Sequence, residues 1–111
     1  MAHGDVRAED DGSFWVMEGE IDAAVQSRRE DVLVQLAQQA TERITIDLTR
    51  VTFMDSGGLR LLYHAAEGSP EPPILRGVPD RIQDLLDLSG VAALFVFEPV
   101  PEPSAAGGRD Q

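Results

Sequence analysis

The chemistry available to this chain gathers around "MDSGGL" (54–59), where Ser56 follows Asp55 and precedes Gly57 and Gly58. Asp-Ser-Gly-Gly also surrounds the nucleophile of many serine proteases, so the first question is whether a base can reach Ser56. The chain has two histidines, His3 near its start and His64. His64 lies eight residues past Ser56 in a segment of helical period, about 12 Å along the axis. A general base must approach the hydroxyl to about 3 Å, so His64 cannot serve. A trypsin-like arrangement would also need two β-barrels, far more chain than this. The lipase-type elbow needs glycine at position 54, which is Met54. No catalytic residue is expected.

A phosphate cradle fares little better. Gly57-Gly58 at a helix start can bring backbone N–H groups to an anion, but the nucleotide P-loop requires a lysine and this chain has none. Ser56 itself reads as the N-cap of the helix that follows, without a capping box because position 59 is Leu59. Capping and modification are compatible. A phosphate added at an exposed helix start meets a favourable dipole, about 0.3–1 kcal/mol and up to ~2 when partly buried.

The elements that must position this serine can be read from periodicity. "SFWVMEGEI" (13–21) is a strand rich in large apolar residues. Val25, Val32, Leu33, Leu36, Ala37 and Ala40 make one stripe of an amphipathic helix over 24–40. "ITIDL" (44–48) alternates as a half-buried strand. Leu59, Leu62, Tyr63 and Ala66 form the inner face of a second helix directly after Ser56, and Ile74–Leu75 offers a short strand. Pro79 suits the first turn of a third helix, with Ile82, Leu85 and Leu86 inward and Gly90 as its stop. "LFVF" (94–97) closes the series as a strand. Alternating strands and helices predict an α/β sandwich, a mixed sheet of four to five strands with parallel βαβ units packed by three to four helices. Trp15, Phe53, Met54 and Tyr63 all read as packed residues.

Composition bounds the class. With 111 residues, 42% hydrophobic and 5% aromatic, the chain suits one aliphatic core. Residues 1–12 and the Pro/Gly/Ala-rich 99–111 read as flexible ends around a domain at 13–98. Absence of cysteine removes disulfides and thiolate metal sites, and no metal or cofactor is expected. No secretory h-region or membrane-length apolar run is visible, so a cytoplasmic protein without membrane insertion is expected. The net charge is −11, and all nine basic residues are arginine. That sign opposes direct nucleic-acid binding.

Three stretches together resemble the STAS domains, specifically the bacterial anti-sigma-factor antagonists: "GEID" (19–22), "IDLTRVTFMDSGGLRLL" (46–62) and "VPDRIQDLLDLSGVAALFVF" (78–97). The similarity runs from about Ser13 to Glu98. It implies that Ser56 accepts phosphate from an anti-sigma factor that is also a serine kinase. The unmodified chain would bind that partner to free a sigma factor, and a serine phosphatase would reset it. Partner contact is expected at Asp22, Met54, Asp55, Gly57, Gly58 and Leu59, with Asp22 alternatively the cap of the first helix. The chain is expected to be a monomer and not an enzyme. Two departures stand out: Gly57 where the family often has Ser or Thr, and Arg28-Arg29 where an apolar residue is common. The alternatives within the family are a non-phosphorylated accessory subunit of a membrane lipid transporter ATPase and a nucleotide-sensing module.

Overall fold

A computed structural model describes residues 3–100. Five strands form one sheet in sequential order: β1 (Asp5–Glu9), β2 (Phe14–Ile21), β3 (Thr45–Met54), β4 (Ile74–Arg76) and β5 (Val96–Glu98). β1 pairs antiparallel with β2, and the remaining neighbours are parallel. The helices α1 (Ala23–Gln38), α2 (Ser56–Gly68) and α3 (Asp80–Ser89) make the crossovers. Right-handed crossovers between sequential neighbours put all three on one face, which gives two layers. Among the described residues no helix is long and apolar enough to cross a membrane.

Side-chain alternation divides the sheet cleanly. Trp15 of β2, Ile46 of β3 and Leu75 of β4 are register partners and fully buried beneath the helices. On the opposite face Phe14, Thr45 and Ile74 align, and Asp47 lies beside Arg76. That face is half-buried by its own side chains: the Arg76 guanidinium sits 5.6 Å above the Phe14 ring and its Nε donates to Glu98 at 2.8 Å. Trp15 is packed as expected, with its indole N–H donating to the Gly12 carbonyl at 2.8 Å.

Several boundaries move. The domain begins at Asp5 rather than Ser13, because Asp5–Glu9 joins the sheet and Val6 is buried opposite Met17. Only Val6 of this short strand is buried while Ala8 is exposed among charged residues, so the segment offers little periodic signal. The expected tail, 99–111, lies outside the described residues beyond Val100. β3 runs six residues past Leu48: after Leu48 its buried residues are Val51 and Met54, three apart, so alternation no longer marks it. Irregularities in the β2–β3 register between Val16 and Glu18 and between Gly19 and Glu20 accompany that change. Pro79 is the N-cap residue of α3 rather than within its first turn. Gly90 stops α3 as read, at φ 80° with its N–H on the Leu86 and Asp87 carbonyls. A 3₁₀ turn at Ala92–Leu94 then delays the last strand to Val96.

Helix faces also rotate. In α2 the buried set is Gly57, Gly58, Leu61, Leu62 and Ala65. Tyr63, read as packed, is 48% exposed. The true stripe is 58, 61, 62, 65, and a glycine at its head carries no apolar signal. In α1, Val25, Leu33 and Ala37 are buried while Val32 faces out.

Candidate functional site

The carboxyl ends of β2 and β3 finish level, Ile21 opposite Met54, and the Asp55 N–H donates to the Ile21 carbonyl at 3.3 Å. Each strand is then followed by an aspartate that turns the chain into a helix. The Asp22 carboxylate accepts from the N–H groups of Ala24 and Val25, both at 3.1 Å. The Asp55 carboxylate accepts from the Gly57 N–H at 2.8 Å. Parallel pairing therefore sets two capping carboxylates at adjoining turns on one edge of the sheet. Both occupy positive helix ends, where an anion is favoured.

Ser56 is not the cap. It is the first helical residue of α2, one position inside Asp55, and it is exposed. The difference matters because the hydroxyl is free of the duty of holding the helix start. The neighbouring glycines permit the geometry. A Cβ on Gly57 would stand 3.0 Å from the Ala23 backbone, and one on Gly58 would meet Met54 Cγ at 2.4 Å and the Ile21 carbonyl oxygen at 2.8 Å. Glycine here lets the start of α2 press against the β2–α1 junction.

The residues expected at a partner surface separate accordingly. Asp22, Asp55 and Leu59 are half-buried around the exposed Ser56. Met54, Gly57 and Gly58 are buried within the domain, packed at the start of α2. Asp22 caps α1, one of its two expected roles. Phe53, read as core, is 47% exposed. It borders an apolar groove with Met54, Ile82, Leu85 and Leu88, rimmed by Arg81 and Asp84. Leu88 and this groove escaped the sequence reading because α3 keeps its inner stripe at Ile82 and Leu86 while Leu88 lies off it.

The sides of α1 and α2 are tied by charge. Glu30 of α1 accepts from His64 Nε2 at 2.7 Å, from Arg60 Nε at 2.5 Å and from Gln26 at 3.2 Å. The His64 hydrogen bond first, then that of Arg60, lowers the Glu30 pKa to about 2. His64 is thus engaged across the helix pair, away from Ser56. Arg28 and Arg29, which depart from the family pattern, serve the N-terminal strand. Arg29 holds Asp5 with two hydrogen bonds of 2.8 and 2.9 Å, and Arg28 donates to the Gly4 carbonyl at 2.9 Å. Among the described residues no cluster of three or more His, Cys, Asp or Glu is arranged to hold a metal ion.

A family model described as "Mlab, STAS domain" matches residues 5–97, beginning where β1 begins. The anti-sigma-B factor antagonist of Staphylococcus epidermidis is 33% identical over 80 residues, covering 69% of this chain and 74% of the relative. That of Staphylococcus aureus (strain NCTC 8325 / PS 47) has the same identity and coverage. The solved structure of the anti-sigma factor antagonist SpoIIAA in its unphosphorylated form superposes with a TM-score of 0.58 at 16% identity. It covers 96% of this chain and 94% of its own, a likeness of fold.

Proposed function

The chain belongs to the STAS domain family, and from that premise we propose that it is an anti-sigma-factor antagonist switched by phosphorylation of Ser56. Its role is regulatory, through a protein partner, and not catalytic. The observation that carries the reading is the exposed Ser56 hydroxyl on the first turn of α2, with Asp55 doing the capping. Relatives named anti-sigma-B factor antagonist support it.

In this reading the unmodified edge, Ser56 with Asp22, Asp55 and Leu59, docks on an anti-sigma factor that is a serine kinase. Docking frees the sigma factor. The kinase transfers the γ-phosphoryl group of ATP to Ser56 Oγ: the bond to ADP breaks, the P–Oγ bond forms and the hydroxyl proton leaves. A phosphatase hydrolyses the ester to restore the hydroxyl. Phosphate brings about −1.5 to −2 charges beside two carboxylates. One like-charge pair at 4 Å costs about 4 kcal/mol at an effective dielectric of 20. Several such units of repulsion in a closed interface exceed the ~1.4 kcal/mol that changes affinity tenfold, so release requires no refolding.

Incubation with a serine-kinase anti-sigma factor and ATP, followed by peptide mass mapping, is the direct test, and phosphate on the Ser56 peptide is expected. Ser56→Glu should abolish binding to that partner while the melting temperature stays nearly constant. Equal binding by wild type and Ser56→Glu would refute the electrostatic switch. The matching family model carries a different description from the sigma-antagonist relatives. That difference favours testing a second reading, an accessory STAS subunit of a membrane lipid transporter ATPase, for which kinase treatment leaves the mass unchanged.

A further inference from the structure

We propose that Arg60 is the cation that receives the phosphate on Ser56, exchanging its partner Glu30 for the new anion. The inference rests on the reading of Ser56 as a phosphorylation site and concerns what the modified residue does next.

Arg60 lies four residues after Ser56 on α2, and both are exposed. Residues at that spacing share a helix face, with Cβ atoms about 5–6 Å apart. Helical side chains lean toward the N-terminus, so a guanidinium at position 60 is within reach of the turn that begins with Ser56. An anion placed N-terminal to a cation at this spacing is also the favoured order. Arg60 currently spends its charge across the helix pair, Nε on Glu30 Oε2 at 2.5 Å. Glu30 does not depend on it alone: His64 Nε2 contacts the same oxygen at 2.7 Å and Gln26 holds the other. Releasing Arg60 therefore leaves no bare carboxylate.

Charge decides the direction of exchange. A phosphate carries up to twice the charge of the Glu30 carboxylate and three acceptor oxygens, and it suits the guanidinium fork. Asp55 and Asp22 at the adjoining turns repel the new group, which makes a cation within reach more strongly sought. Glu30, His64 and Glu67 are the other titratable groups facing this side of α2. A signal written at Ser56 is then also felt at α1, through the loss of one of its ties to α2.

The test installs phosphoserine at position 56 of the full chain during translation, so that no kinase is involved. Phosphorus NMR then follows the phosphate through its second ionisation in the otherwise wild-type chain and in Arg60→Gln, while the Arg60 Nε–Hε resonance is followed in the former. Loss of the cation should raise the phosphate pKa by about 0.5, the scale of an exposed ion pair. The Arg60 resonance should shift on phosphate incorporation and follow its titration. An unchanged phosphate pKa in Arg60→Gln, or an Arg60 resonance indifferent to the phosphate, overturns the inference. Either failure leaves the kinase experiment above unaffected, and a chain that no kinase modifies would leave this titration interpretable.

Discussion

Two adjacent residues divide the work at the head of α2. Asp55 satisfies the Gly57 N–H and holds the helix start, while Ser56 stands one position inside, exposed and unburdened. Ser and Asp are both favoured caps, so local preference cannot choose between them. The β3 register chooses, by ending the strand at Met54 and leaving Asp55 extended, with φ −119° and ψ −164°. Urea denaturation should separate the two roles. Asp55→Ala is expected to lose about 1 kcal/mol, the usual worth of a cap. Ser56→Ala should stay within about 0.5 kcal/mol, as exposed substitutions do. A larger loss for Ser56→Ala than for Asp55→Ala would reverse the assignment.

Between elements, charged clasps hold the helices in place. Glu30 ties α1 to α2 through His64 and Arg60, and Asp5 ties β1 to α1 through Arg29. The pKa of Glu30 falls from 4.5 to about 2, and that of Asp5 from 3.8 to about 2, chiefly through the Arg29 hydrogen bond. Both carboxyls bind protons less readily folded than unfolded. Their contribution to stability is thus present above the ordinary carboxylate pKa and is lost as pH falls toward 2. Solvent screens both clasps, so the loss is smaller than the pKa displacements alone imply. The double variant Asp5→Asn/Glu30→Gln should show a flatter stability profile than wild type between pH 5 and 2, measured by urea melts. Identical slopes would show that the clasps carry no pH-dependent stability.

For the whole molecule, the sheet has one face under helices and an edge strand contributed by the chain's first residues. Val6 on that strand is buried against Met17, so Val6→Ala should cost about 1–3 kcal/mol by opening space in the core. A change below about 0.5 kcal/mol in a denaturant series would mean that β1 is only loosely attached. The sequence by itself determined the order of elements from β2 onward, the single aliphatic core, the family and the serine at a helix start, but not the edge strand β1. Those features depend on local period and on turn residues, which each segment carries in its own letters. The tertiary structure decided which residue caps α2, which faces of α1 and α2 turn inward, that Phe53 lies half in solvent, and that Arg60 and His64 meet Glu30. These depend on strand register and on a close approach at Gly57 and Gly58, where the absence of a side chain is itself the determinant and leaves no hydrophobic mark to read.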